Sequence, residues 1–235
     1  MRFLQVFSAS LRLCGKNLPR VRAAIVLAFA ASALATDKLF QDPFRGRLAE
    51  GWSFRREHPD AWRVTDRGLE IRVEPGNMWG PANDGKNVLV RTAPDISSNE
   101  IAVSVQVDLS PTGQYEQADM VWYYDDSNMV KIGHELVDGK LSIVMGREEN
   151  DKTRTLAIIP FPASAVELRQ IVGKNHIRGQ YRAPGSGEWR DAGECNLPVH
   201  GEAHISLQCY QGLPGVEHWA RFSDFQIRRL EKASL

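Results

Sequence analysis

The chain has 235 residues, of which 43% are hydrophobic, 25% charged and 9% aromatic, the composition of a globular protein and not of a disordered or fibrous one. Its formal charge of zero hides an asymmetry: residues 1–35 hold five bases (Arg2, Arg12, Lys16, Arg20, Arg22) and no acid, so 24 of the 29 bases face all 29 acids in the rest. An acidic remainder with no basic arm excludes nucleic acid as an expected partner, because phosphate contacts need clustered Lys and Arg.

The basic start leads into the apolar run Ala23–Ala35, which closes on Ala33-Leu34-Ala35. Basic, then apolar, then small-x-small is the order of a secretory signal. The run is too short to cross a ~30 Å hydrocarbon layer at ~1.5 Å per helical residue. Residues 1–35 are therefore expected to be a signal peptide cleaved before Thr36. That leaves a single secreted or periplasmic domain, 36–235, with no stable membrane span. Export permits Cys195 and Cys209 to pair. A hairpin of Trp189–Cys195 with Glu202–Cys209 would instead hold them ~20 Å apart, beyond the ~7 Å between Cα atoms that a disulfide allows, and leave two thiols.

From Thr36 onward the apolar residues recur at every second position. Leu69–Val73 and Val88–Arg91 are short examples, and Glu100–Leu109 is the clearest, with Ile101, Val103, Val105, Val107 and Leu109 on one face. Ala118–Tyr124, Val130–Val137, Leu141–Met145, Val166–Val172, Ile177–Tyr181, His204–Cys209 and Ala220–Arg228 continue the pattern. Turn signals such as Asp125-Asp126-Ser127-Asn128 and Asp138-Gly139 separate the runs. Glu74–Asn87 and the charged stretch Arg147–Thr155 read as loops. Ten or more short strands without alternating helices predict an all-β, two-sheet antiparallel jelly-roll sandwich.

The strands Gln117–Tyr124 and Met129–Val137 carry polar residues that a core would not accept. Gln117, Asp119, Val121 and Tyr123 share one face, and Lys131, Gly133 and Glu135 share the matching face of the partner. Keeping Trp122 away from that face requires a five-residue loop, Asp125–Met129, or a bulge. The expected pairs are Asp119 with Glu135, Val121 with Gly133 and Tyr123 with Lys131. The face then serves as a binding surface, as a catalytic one, or simply as a wet one. Asp119 and Glu135, ~5 Å apart in that register, are the candidate acid and nucleophile of a retaining glycosidase.

The segments Gly51-Trp52-Ser53-Phe54-Arg55-Arg56-Glu57, Tyr115-Glu116-Gln117-Ala118-Asp119-Met120-Val121, Asp125–Glu135 and Phe222-Ser223-Asp224-Phe225 resemble concanavalin A-like modules related to the C-terminal module of family 43 beta-xylosidases. Asp119 and Met129 depart from the pattern, which usually has Gly and an aromatic there. The resemblance implies a jelly roll with a concave face linked to carbohydrate, an oligo- or polysaccharide. It makes Trp79, with Asn77 and Asn83 nearby, the candidate sugar platform, beside Gln117, Asp119, Tyr123, Lys131 and Glu135 as polar partners. Related modules tie their terminal strands with calcium, which would make Asp42 and Asp224 candidate ligands for a structural ion; no other cofactor is expected. The Glu-x-Asp-x-Glu run of laminarin- and agar-cleaving relatives is absent, as are a Gly-x-Ser-x-Gly elbow and a His-x-x-x-His pair. A non-catalytic carbohydrate-binding protein is the first reading. A glycoside hydrolase or lyase using the concave-face carboxylates is the second, and a structural or envelope module that binds another protein is the third. Trp62, Trp122 and Trp189 are expected in the core.

Overall fold

The computed structural model describes residues 36–198 and 201–231. The expected signal segment lies outside them. In chain order the strands are β1 (Thr36–Asp42), β2 (Ser53–Arg55), β3 (Trp62–Thr65), β4 (Gly68–Arg72), β5 (Val88–Thr92), β6 (Ile101–Asp108), β7 (Gln117–Asp125) and β8 (Asn128–Val137). They continue as β9 (Lys140–Glu149), β10 (Lys152–Pro160), β11 (Ala165–Val172), β12 (His176–Arg182), β13 (Arg190–Asn196), β14 (His204–Tyr210) and β15 (Trp219–Leu230). One 3-10 turn, Pro59–Ala61, is the only helical element among the described residues, and no helix there is long and apolar enough to cross a membrane.

Two antiparallel sheets face each other. The first runs β13-β12-β11-β6-β15-β4-β3, with β1 paired to the C-terminal half of β15, and the second runs β10-β9-β8-β7-β14-β5-β2. The period-two runs bury one face between them: Val103, Val105, Val107, Leu168, Phe222 and Ile227 from the first sheet meet Leu89, Met120, Trp122, Ile132, Met145 and Leu207 from the second. Each such fully buried side chain contributes ~1.5–3 kcal/mol of transfer free energy. The in-out alternation, clearest in β6, β11 and β15, therefore sets which face of the first sheet meets the core, while β7 and β8 of the second sheet are buried on both faces.

Three expectations about elements change. The stretch Arg147–Thr155 is the end of β9, a two-residue turn and the start of β10, paired Lys152 with Glu149. Lys152 and Arg154 face solvent on β10, an edge strand, where charged residues discourage pairing with another molecule, whereas Glu148 on β9 is buried. Cys195 lies on β13 of the first sheet and Cys209 on β14 of the second, not on one hairpin, and both thiols are free. Trp122 is fully buried, but Trp189 sits outside the core between Arg169 and Arg182, whose guanidinium carbons lie 4.1 and 4.3 Å from its ring.

The β7–β8 hairpin keeps the expected faces and changes the expected partners. A bulge at Tyr124 is present, yet Asp119 pairs with Gly133, Val121 with Lys131, Tyr123 with Met129 and Gln117 with Glu135. The displacement is two residues from the predicted register, which preserves the faces. Its cause is local: Asp125 Oδ1 accepts from Ser127 N at 2.9 Å and from Asn128 Nδ2 at 2.8 Å. That cap closes the turn over two residues, Asp126 and Ser127, so no five-residue loop forms.

Candidate functional site

The outer face of the second sheet is divided in two. Over one half, Met78 from the 74–87 loop is fully buried against Val88, Val90, Val121, Tyr123, Met129 and Tyr210. That loop is built by its own polar residues. Asn77 N donates to Asp84 Oδ1 at 2.8 Å, and the Asn77 side chain holds the backbone of Trp79 at both its N–H and its C=O, each 2.9 Å away. Arg56 binds Gly85 O at 2.7 Å and Asp126 at 2.6 Å, and Gly80 N donates to both oxygens of Glu148 at 3.1 Å. These contacts pin the loop to the sheet at both ends.

So held, the Trp79 indole packs on β9 at Gly146, where a Cβ atom would come within 2.5 Å of Trp79 Cη2. Only glycine permits that approach. Beside it opens a cleft of about 490 Å³, with Gln117, Lys131, Glu135 and Val144 at its base, Trp79 on one side and Tyr115, Asp138 and Ile158 at the rim. Tyr115 and Ile158 are 48% and 51% exposed, unusual for large apolar side chains. Its lining runs from Thr155 and Ile158 on β10 to Gln211, just after β14.

Under the cleft sits a buried charge cluster. The Lys131 ammonium donates to Gln117 Oε1, to Glu135 Oε2 at 3.1 Å and to the Tyr210 hydroxyl at 3.4 Å, and lies 3.6 Å from Asp119 Oδ2. Asp119 is completely buried and folds against Gly133, where a Cβ would sit 1.5 Å from its Oδ1. Burial raises the Asp119 carboxyl to about 6, with Lys131 opposing and Glu135 adding to the shift. Burial alone would lower the Lys131 ammonium, but the charges of Asp119 and Glu135 outweigh it and raise its pKa. Tyr210 is raised well above its usual value by burial and by Asp119. Burial likewise pushes Glu148, under the loop, up to about 7.

The predicted residues thus divide. Trp79, Gln117, Lys131 and Glu135 come together at one cleft. Asn77 lines it but spends its amide on Trp79. Asp119 lies beneath Lys131, out of reach of any ligand, and faces Gly133 instead of Glu135. The two carboxylates flank one cation, Lys131, and are not the directly opposed cross-strand pair that the expected register gave. Tyr123 belongs to the covered half: its hydroxyl donates to Asp126 Oδ1 at 2.6 Å, and burial, then Asp126, raise its pKa. Asp42 and Asp224 do not fit a shared ion. The Asp42 oxygens accept from Phe44 N, Ala49 N and Trp52 Nε1, and its cross-strand partner is the core residue Phe225. Asp224, at a positive φ of 52° where β15 shifts register, lines a hollow on the other face of that sheet.

Tyr115, Ile158, Gln211 and Glu148 were missed. Tyr115 stands just before β7 with a φ of 66° that turns its ring to the rim, and nothing in the alternation marks it. Ile158 follows a shift in the β10 pairing between Thr155 and Ala157, on a strand whose charged beginning reads as a loop.

Comparison with known proteins matches residues 41–228 to the beta-xylosidase C-terminal concanavalin A-like domain. A search of curated proteins finds no significant match. Among solved structures, the chain is similar to the GH43 protein BlXynB from Bacillus licheniformis (TM-score 0.71, 21% identity, 81% of this chain and 39% of that one). It is also similar to a Bacteroides ovatus protein described as xyloglucan PUL GH43B (TM-score 0.69, 19% identity, 81% and 39%). A functionally unknown protein from Saccharomyces cerevisiae has the same fold over 98% of its own length and 77% of this chain, at a TM-score of 0.63 and 16% identity. This chain spans about two fifths of the length of the two GH43 proteins. With the family model covering most of the sandwich, the chain belongs to the beta-xylosidase C-terminal concanavalin A-like domain family.

Proposed function

We propose that this domain binds a short stretch of carbohydrate in the cleft beside Trp79 and does not cleave it. The observation that carries the reading is the fixed Trp79 indole beside a base of polar acceptors. Sugars pair an apolar C–H face with a polar rim, and a flat aromatic next to carboxylates and amides is complementary to both. A cleft of about 490 Å³ suits a short stretch of a glycan chain. The burial of Asp119 speaks against hydrolysis, because it leaves Glu135 paired with Lys131 and, as the other carboxylate lining the cleft, only Asp138 at the rim. The family setting and the carbohydrate-related names of the GH43 relatives agree with this reading. We also propose export, carried by the basic and apolar order of residues 1–35; N-terminal sequencing from the native host should begin near Thr36, and a start at Met1 would end that part.

Calorimetric titration against a panel of neutral oligosaccharides tests the main reading. Wild-type protein should bind at least one member, Trp79→Ala should lose it, and no new reducing ends should appear. Absence of binding across the panel would overturn the proposal, and release of reducing ends would restore the hydrolase alternative.

A further inference from the structure

The cleft contains one cation, and the geometry points to its being unavailable to a ligand. We infer that the site selects saccharide units without charge and discriminates against those carrying a carboxylate; this rests on the carbohydrate reading above. The Lys131 ammonium has three N–H groups. Around it stand Gln117 Oε1, Glu135 Oε2, the Tyr210 hydroxyl and Asp119 Oδ2, and the residue is 2% exposed. No donor is left over to meet a sugar carboxylate. The Gln117 amide is spent in the same way, its Nε2 donating to Tyr115 O at 2.7 Å while its Oε1 accepts from Lys131.

What remains for a ligand is acceptor capacity at the base and, around it, the neutral side chains of Tyr115, Thr155 and Gln211, which can donate but carry no charge. Glu135 commits only Oε2 to Lys131, and Asp138 stands at the rim. Asp119 and Glu135 together outnumber Lys131, so the base of the cleft carries a net negative charge, and no arginine or second lysine lines the cleft to offset it. A neutral unit donates hydroxyl protons to these oxygens and stacks its C–H face on Trp79. A uronate brings a further carboxylate into a partly desolvated space where like charges repel strongly.

The test compares pairs that differ only in oxidation at the primary alcohol: cellotriose with its tri-glucuronate counterpart, and mannotriose with tri-mannuronate. The same comparison is made for any other neutral sugar that binds in the panel above, after oxidation of its primary alcohols. We expect the neutral member of a binding pair to bind at least tenfold more tightly. Raising NaCl from 0.05 to 0.5 M should narrow that gap by strengthening the uronate arm alone, because screening acts only on the charged ligand. Glu135→Gln, which keeps the side-chain shape, should narrow the gap in the same direction, and the salt series decides the matter if that variant fails to fold. Equal affinities, or tighter binding of the uronate, would overturn the charge selectivity while leaving carbohydrate binding intact. Failure of every neutral and acidic member would overturn the carbohydrate reading and this inference with it.

Discussion

Gly133 and Gly146 occupy equivalent outward positions on neighbouring strands, and the two differ in what an added methyl group would strike. At Gly146 the obstacle is the rim of the Trp79 indole, a loop side chain that can lift away. Gly146→Ala should therefore weaken ligand binding at least tenfold while changing stability by less than about 1 kcal/mol, as expected away from the packed core. At Gly133 the obstacle is the Asp119 carboxyl, boxed in with no exposed surface. Gly133→Ala should destabilise by about 1–3 kcal/mol, the usual range for overpacking. Adding Asp119→Gly should recover part of that loss by removing the clashing group. Urea denaturation of the two single variants and the double variant checks the three stability outcomes, calorimetric titration of Gly146→Ala checks the loss of binding, and a double variant no more stable than Gly133→Ala would show that the clash is not the cause.

Elements obey a different logic, because a strand can be right in its faces and wrong in its neighbours. Period two fixed which residues of β7 and β8 point outward, and Gln117, Lys131 and Glu135 were legible as one polar face for that reason. Which of them touch depended on how Asp125 caps the turn, a short-range hydrogen-bond choice that hydrophobic alternation does not encode. Asp125→Ala removes both capping bonds. The expected cost is about 1–2 kcal/mol, from two bonds at ~0.5–1.5 kcal/mol each on a partly exposed turn. Amide exchange should quicken first at the Ser127 end of the hairpin, and uniform protection along it would contradict the capping role. Alternation does not mark β1, β2, β3 and β10, and β13 reads as half of a hairpin with β14 although its partner is β12. Some of these are only three or four residues long, and the others lie at edges where charges replace the apolar beat. The 74–87 loop was readable as irregular, but its anchorage was not, since Arg56, Asp126 and Glu148 come from three separate places in the sequence.

Across the whole molecule, buried titratable groups pull stability in opposite directions as pH falls. His134 lies in the core face of β8, fully buried, and burial depresses its pKa to about 4 from 6.5. The unfolded chain then binds more protons than the native state between those values, so this group costs stability as pH drops through the window. Glu148 and Asp119 act in reverse. Burial raises them to about 7 and about 6 from 4.5 and 3.8, so the native state holds more protons and gains stability on acidification from pH 7 towards 4.5. Between pH 7 and 5 the three offset one another in part. His134→Gln removes the opposing member, and its unfolding free energy should rise more steeply on acidification than that of the wild type. Denaturant titrations of both proteins at pH 7, 6 and 5 measure the slopes, and identical slopes would show that His134 does not titrate in unfolding.

The pairing of β1 with β15 sets Thr36 opposite Leu230, and this makes the described chain almost a ring. Such a ring can be reopened elsewhere. Joining residue 36 to residue 230 through a short Gly/Ser linker and cutting in the exposed turn at Gly185 to Gly187 would keep every pairing described here, because turns of that kind tolerate new termini. The β1–β15 edge lies in the sheet opposite the cleft. A permuted domain should therefore retain the affinity of the parent for the same oligosaccharide. It would also present its handles beside the β12–β13 turn, so the domain could be immobilised or fused in two orientations without reworking the site.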